Sequence, residues 1–297
     1  MDAWIALAIA AAAFQTLRFV LQKQLSMGAL STGGATFARF FYSAPLVATG
    51  AAIYWIQAGQ MPSGFTMRFW LFAMGGGLMQ ILATWCMVAL FAQRNFAVGI
   101  TFKKTEVVQT ALVGLVLLGD RISMAGLGAI LTGLVGVLIL SGGTGAARWQ
   151  VMNRAAGLGL LAGALFALSA VGYRGATLEV VSDDPLMRAL STLAIVTVAQ
   201  TIAMAAWLCW CEAGQISRVI AARRRAIWMG VTGLGGSLCW FTAFTMQNAA
   251  YVFAVGQVEV IFSLAASVLI FGERLTRREA VGIALITGSV IAVALFR

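Results

Sequence analysis

The sequence predicts an all-α integral membrane protein with ten transmembrane helices, arranged as two five-helix repeats of inverted topology. Three observations predict this fold class: an apolar composition, ten apolar runs of spanning length and an internal repeat. Of the 297 residues, 61% are hydrophobic and only 10% are charged, and the mean hydropathy is +0.92. Soluble domains are closer to half apolar and a quarter charged, so the composition excludes a soluble globular domain.

Ten apolar runs are each long enough to cross the hydrocarbon core of a bilayer as a helix. They lie at roughly 3–22, 35–56, 69–92, 97–118, 124–141, 155–177, 186–210, 226–247, 250–271 and 279–296. In hydrocarbon every backbone amide needs an internal partner, and the strands of a membrane barrel would be about half as long and alternating. The runs are therefore predicted to be α-helices, and the short polar segments between them leave no room for a large domain outside the membrane.

The two halves of the chain are related by an internal repeat. Residues 119–123 read GDRIS, and residues 272–276, which lie 153 positions later, read GERLT. At this shift ten identities occur over 52 positions, where so biased a composition gives roughly four by chance. Each half holds five runs, an odd number, so the second half must enter the membrane in the opposite orientation. We therefore predict repeats at residues 1–147 and 148–297 with inverted topology.

The end of each predicted repeat resembles a known family. The two segments are LVLLGDRISMAGLGAILTGLVGVLIL at residues 115–140 and SVLIFGERLTRREAVGIALITGSVIAVAL at residues 267–295. They are similar to the EamA domains of the drug/metabolite transporter superfamily. The resemblance implies a ten-helix, multi-pass carrier of small metabolites, similar to the YddG-type amino-acid exporters of bacterial inner membranes. Many members carry Pro in the fourth and ninth helices, where this chain has Glu106 and Glu259.

Basic side chains outnumber acidic ones, with 20 Lys and Arg against 10 Asp and Glu. They are scattered between the apolar runs, which is typical of membrane-protein loops, so no nucleic-acid partner is predicted; the predicted partners are the lipid bilayer and a small-molecule substrate. Loops after odd-numbered helices carry most of the loop arginines. The positive-inside rule therefore places these loops in the cytoplasm and both termini outside. The family resemblance implies cytoplasmic termini instead, and both orientations stay open.

Glu106 and Glu259 are the first candidates for a functional site. They occupy equivalent positions in the two repeats and are predicted to meet near the pseudo-twofold axis. Ionisable groups in the bilayer cost about 2.5–3.5 kcal/mol each on insertion scales, so each needs a partner or a wet cavity. A carboxylate there can bind a substrate ammonium or carry a coupling proton. The alternative is a hydrogen-bond acceptor that fixes helix packing.

Two lysines precede the first of these glutamates on the same helix. Lys103 and Glu106 are three residues apart, so they share a helix face and can pair. One interpretation is a self-neutralised ion pair, with Lys104 extending toward the interface. The other is a cationic wall, formed by both lysines, that recognises a substrate carboxylate.

The first helix carries a polar stripe. Arg18 and Gln22 are four residues apart, and Gln15 lies three residues before Arg18. Such a stripe on an otherwise apolar helix should face a cavity and not lipid. Arg39, near the start of the second helix, is predicted to be an interfacial anchor.

Five more residues are candidates for the substrate wall. On the ninth helix Gln257 and Ser263 lie near the second glutamate, among small residues that equally favour close helix packing. On the third and eighth helices Gln80, Trp85 and Trp240 are polar or amphipathic and suit an organic solute. The alternative for each aromatic side chain is contact with lipid or a place in an interfacial belt.

Catalytic constellations are missing from the sequence. His is absent, which removes His-based triads and the usual zinc ligands, and no G-x-x-x-x-G-K-[ST] phosphate loop is present. We predict no catalytic residue, no metal site, no cofactor and no enzymatic activity. Inverted repeats are typical of secondary transporters with a midplane site between the halves. The predicted function is alternating-access transport of small organic metabolites, with amino-acid export as the leading case. The alternative is a membrane-embedded enzyme or flippase that acts on lipid-linked substrates.

Overall fold

The chain folds almost entirely into α-helices in the computed structural model. The structure describes residues 2–26, 30–91, 102–141, 154–262, 265 and 277–296. Within these ranges there is no strand, only an isolated antiparallel bridge between Ser63 and Val181. The helices with described bounds are α1 (Ala3–Ser26), α2 (Thr32–Ala58), α3 (Met67–Phe91), α4 (Glu106–Leu118), α5 (Met124–Ser141), α6 (Arg154–Glu179), α7 (Pro185–Cys211), α8 (Gln215–Ala221), α9 (Arg223–Met246), α10 (Ala249–Gly256) and α11 (Arg277–Phe296).

Among the described helices, α1, α3, α6, α7 and α9 are long and apolar enough to cross a membrane. Shorter apolar helices cover Glu106–Leu118, Met124–Ile139, Ala249–Phe262 and Ala280–Phe296. Large apolar side chains project from the outer surface, for example Trp210, which is 91% exposed. Apolar outer surface is what a helix bundle presents to lipid. The predicted helical fold with several apolar spans is confirmed, and the number of ten spans stays a prediction.

The helix ends follow from local sequence. The Ser31 hydroxyl caps α2 by accepting from the backbone N–H three residues later, at 2.9 Å. The Asp184 carboxylate caps α7 by accepting from the backbone N–H of Leu186. Pro185 is the first residue of α7, where a missing N–H costs nothing. Gly59 and Gly119 end α2 and α4 in the left-handed region, at φ +63° and +70°. The short helix α8 lies in a polar segment that the sequence predicts to be a loop, because seven residues are too few to show a helical period.

α2 and α7 pack along each other in opposite directions. The Ser31 hydroxyl, at the start of α2, donates to the Glu212 carboxylate just after the end of α7. Near the end of α2 the Trp55 indole N–H donates to the Ser191 hydroxyl, near the start of α7, at 3.0 Å. The two helices are also equivalent under the 153-residue shift, which carries the bounds of α2 onto those of α7.

The other main helix contacts follow the same equivalence. α5 packs along α11, and the Ser123 hydroxyl before α5 donates to the Phe296 carbonyl at the end of α11 at 2.8 Å, so this pair is antiparallel too. α1 packs along α9, and α3 packs along α6. The shift of 153 residues relates α1 to α6 and α3 to α9. The first helix of each half therefore packs against the third helix of the other half.

Candidate functional site: a cavity with two buried arginines

A cavity lies between α1, α2, α3, α6, α7, α9 and α10. Polar lining residues are Gln15, Arg18, Arg39, Ser43, Gln80, Thr197, Gln200 and Ser237. Aromatic lining residues are Phe40, Phe166, Tyr173, Trp240, Phe241, Phe244 and Phe253. Aromatic walls with a few polar groups suit an organic solute that is partly apolar.

Arg39 is buried in the bundle, with 6% of its surface exposed. Its Nη1 donates to the Thr84 hydroxyl at 3.2 Å, and its Nη2 donates to the Ser237 hydroxyl at 3.3 Å. The Gln80 amide oxygen accepts from both nitrogens, at 2.9 and 3.1 Å, when its amide nitrogen faces Ser169. All of these partners are neutral. The prediction of an interfacial anchor is wrong, because Arg39 supplies a positive charge to the cavity wall.

α1 turns Gln15 and Arg18 toward the cavity. Arg18 is 5% exposed, and its guanidinium carbon lies 4.9 Å from the centre of the Phe19 ring. Its Nε has no hydrogen-bond partner among the described residues. Gln22, one turn further on, is fully buried, and within the described ranges neither polar atom of its amide has a partner. Gln22 is not among the residues that line the cavity.

Four buried or nearly buried charges form two ion pairs beside the cavity. Lys103 Nζ lies 2.6 Å from Glu106 Oε1, which is the pairing that the three-residue spacing predicts. Lys104 Nζ reaches into the second half of the chain and lies 3.2 Å from Glu259 Oε2. The Gln15 amide N–H also donates to Glu259 Oε2, at 2.8 Å. The lysines are thus paired with carboxylates, and neither lines the cavity.

Two contacts join these ion pairs to the cavity wall. The Trp240 indole N–H donates to the Gln15 amide oxygen at 3.3 Å, so Gln15 bridges a cavity aromatic and Glu259. Lys103 Nζ lies 5.1 Å from the centre of the Phe166 ring, whose side chain faces the cavity. A change in the ion pairs would therefore be felt directly by side chains that line the cavity.

Both glutamates follow a break in the helix. Residues 104–105 form a turn immediately before Glu106, and residues 257–258 form a turn immediately before Glu259. In each turn the N–H of the residue before the glutamate donates to the carbonyl three residues earlier, at 3.1 and 3.2 Å. Each carboxylate therefore stands at the start of a helical segment, where the helix dipole favours negative charge.

Comparison with known proteins identifies the second half of the chain. A model of the EamA-like transporter family matches residues 153–295. The second half of this chain belongs to the EamA-like transporter family. This match confirms the family resemblance over these residues, and the family implies a membrane transporter of small molecules.

The fold of this chain also occurs among solved structures. One, described only as a crystal structure of a protein, aligns over 97% of this chain and 99% of its own, with a TM-score of 0.63 and 17% sequence identity. At this identity the likeness concerns the fold alone. No match is found among curated protein sequences.

The remaining predicted site residues are divided between the cavity and the packing around it. Gln80 and Trp240 line the cavity. Trp85 packs edge-on against Trp207, with ring centres 4.7 Å apart, and does not line the cavity. Gln257 is buried, its amide oxygen has no hydrogen-bond partner among the described residues, and it lies outside the cavity lining. Ser263 falls outside the described residues.

The polar cavity residues that are not singled out as site candidates from the sequence include Arg39, Gln200 and Ser237. Gln200 donates to the Gly77 carbonyl at 2.9 Å and to the Tyr173 hydroxyl at 3.1 Å. All three stand within apolar runs, where a polar side chain itself indicates a site. No group of three or more Cys, Asp and Glu side chains in the described ranges is placed to hold a metal ion.

Proposed function

We propose that this protein is a secondary transporter that moves small organic metabolites across a bacterial inner membrane by alternating access, with amino-acid export as its leading activity. The cavity carries the proposal, because it lies between helices of both halves and combines buried charges with an aromatic wall. The EamA-like family match supports transport as the general function.

The helix packing supports inverted repeats at residues 1–147 and 148–297. Equivalent helices pack antiparallel, as α2 does with α7 and α5 with α11. The first helix of each half packs against the third helix of the other half, as α1 does with α9 and α6 does with α3. A twofold axis in the membrane plane generates both features, and it lets the two halves open the cavity to each side in turn.

Glu259 is the proposed coupling residue. Its Oε2 contacts Lys104 from the first half and Gln15 from the cavity wall. Motion of one half against the other would lengthen the Lys104 contact, since the two residues belong to different halves. A freed carboxylate can accept a proton or a substrate ammonium, and re-forming the ion pair would release it.

Uptake into proteoliposomes tests this proposal. Labelled amino acids, organic acids, bases and sugars are offered with and without a pH gradient, and saturable uptake of one class is expected. Glu259→Gln should lower that uptake by about tenfold or more, the effect of losing a charge-assisted interaction of about 1.5–3 kcal/mol. Dependence on the gradient would support proton coupling.

Glu179→Gln is the matched control, because it makes the same chemical change at a carboxylate whose ion pair with Arg68 is long, at 3.7 Å, and exposed on the arginine side. Normal uptake by folded Glu259→Gln protein would remove Glu259 from the mechanism. No saturable uptake of any solute by folded wild-type protein would reject the proposed transporter and favour a lipid-linked substrate.

A further inference from the structure

The buried charges around the cavity do not balance. Four cations are at most 6% exposed: Arg18, Arg39, Lys103 and Lys104. Two carboxylates accompany them, Glu106 and Glu259, so the described cluster carries two more positive charges than negative ones. Each carboxylate is already paired with a lysine at 2.6 or 3.2 Å. The excess charge therefore falls on the two arginines.

The arginines have neutral partners and face the same cavity. Arg39 is held by hydroxyl and amide oxygens, and Arg18 has one guanidinium nitrogen without a hydrogen-bond partner among the described residues. The charge of Arg39 repels that of Arg18, and the charge of Glu259 attracts it. Because Glu259 is shared with Lys104, its charge offsets only part of this repulsion. Two buried like charges are costly unless an anion joins them.

The rest of the lining suits an apolar body and offers no acidic group. Among the described lining residues there is no Asp or Glu. Trp240, Phe244 and Phe253 pack together, with ring centres 5.2 to 5.6 Å apart. A solute with a planar apolar part can pack on these rings, whereas an ammonium group finds no carboxylate in the cavity.

We propose that Arg18 and Arg39 together bind the carboxylate of the transported solute, while the rings hold its apolar part. This inference rests on the proposed transport function and narrows its substrate class to organic acids, including amino acids, for which the ammonium group is dispensable. Guanidinium groups suit this task because they present paired donors to the two oxygens of a carboxylate. The lysines, which are already paired, take no part in recognition.

Three matched compounds test the inference on purified wild-type protein. All three compounds contain a phenyl group. Phenylalanine carries both a carboxylate and an ammonium group, phenylpropionate carries only the carboxylate, and phenethylamine carries only the ammonium group. Binding is measured by titration calorimetry and by the fluorescence of the Trp residues, which include Trp240 in the cavity wall. Phenylpropionate should bind at least as tightly as phenylalanine, and phenethylamine should bind about tenfold more weakly or worse, the scale of one charge-assisted hydrogen bond.

Variants locate the binding group. Arg39→Gln and Arg18→Gln should each weaken phenylpropionate binding by about tenfold or more. Arg224→Gln removes the same charge from an exposed position at the start of α9 and should leave binding unchanged. If an arginine variant does not fold, the comparison of the three compounds on wild-type protein still decides the matter.

The opposite results overturn the inference. Phenethylamine that binds as tightly as phenylpropionate would show that a cation is recognised, and acid binding that survives Arg39→Gln would place the anion elsewhere. Failure of both acids to bind folded wild-type protein would also reject it. Solute uptake in proteoliposomes that persists in these cases would leave the transport function standing, whereas loss of all uptake would reject that function separately.

Discussion

The buried Lys103–Glu106 ion pair makes the stability of the protein depend on both of its partners. The two side chains are 3% and 5% exposed and their charged atoms are 2.6 Å apart, so water does little to screen them. Removing one partner of such a pair leaves a buried charge uncompensated, which is more costly than never having had the pair. Glu106 also has a second oxygen without a hydrogen-bond partner in the described part of the chain, so its lysine is not easily replaced.

Lys103→Met is therefore expected to destabilise the protein by about 3 kcal/mol, and the double variant Lys103→Met with Glu106→Gln by about half as much or less. Thermal unfolding of the purified protein in one detergent measures both. Arg68→Gln is the control, because its pair with Glu179 spans 3.7 Å with the arginine side chain 72% exposed, and it should cost under about 1 kcal/mol. If Lys103→Met destabilises the protein no more than Arg68→Gln does, the Lys103–Glu106 pair is not buried.

The sequence predicts such local pairs well and cavity residues less well. Lys103 and Glu106 are three residues apart, so helix geometry alone brings them together. Arg39 contacts Thr84 and Ser237, which lie 45 and 198 residues away, and no local pattern contains that information. Arg18 could be placed because its polar neighbours on α1 share its face. Arg39 lies near the start of the predicted second helix, where an interfacial position is expected, so the sequence alone misplaces it.

At the scale of elements, glycines let α5 and α11 approach closely. A Cβ added to Gly136 would lie 2.9 Å from the Gly282 carbonyl oxygen and 3.0 Å from Ile286. A Cβ added to Gly133 would meet the side chain of Ser289, at 2.5 Å from its hydroxyl oxygen. The 153-residue shift relates these two contacts to each other, since it carries Gly133 to Ile286 and Gly136 to Ser289. Close backbone approach of this kind is typical of membrane helix pairs.

Gly136→Ala is expected to destabilise the protein by about 1–3 kcal/mol, because backbone atoms must move to admit the methyl group. Gly128→Ala lies on the same helix with nothing within 4 Å of the added Cβ, so it should be neutral or slightly stabilising. The thermal unfolding midpoints of the two variants give the comparison. Equal effects would mean that α5 and α11 do not meet at Gly136.

Helix existence is more predictable than helix continuity. The apolar runs at 97–118 and 250–271 read as uninterrupted spans, whereas the structure has turns at 104–105 and 257–258. Hydropathy does not locate these breaks, because the polar and charged residues at them are averaged with the apolar residues on either side. Glu259, which follows the second break, contacts Gln15 of α1, and no local sequence pattern contains that contact.

At the scale of the whole molecule, the exchange of helices between halves explains why the cavity belongs to both. α1 and α2 of the first half and α6, α7 and α9 of the second half all contribute to its wall. The sequence predicts this arrangement through the repeat and its odd number of spans. It does not predict which side chains converge, because that depends on the rotation of each helix about its own axis.

The inverted arrangement of the two halves is the claim on which alternating access depends, and site-specific labelling tests it most directly. Gln60 and Ala213 are exposed, equivalent under the 153-residue shift, and placed after α2 and α7. Gln60→Cys and Ala213→Cys are made separately in a background in which Cys86, Cys209, Cys211 and Cys239 are replaced. Intact and permeabilised cells are then treated with a membrane-impermeant maleimide.

Inversion predicts that the two variants react from opposite sides of the membrane. The loop arginines predict, further, that Gln60→Cys reacts in intact cells and Ala213→Cys reacts only after permeabilisation. The reverse pattern would keep the inversion and place both termini in the cytoplasm. Reaction of both variants from the same side would contradict inverted repeats and, with them, the proposed alternating-access mechanism.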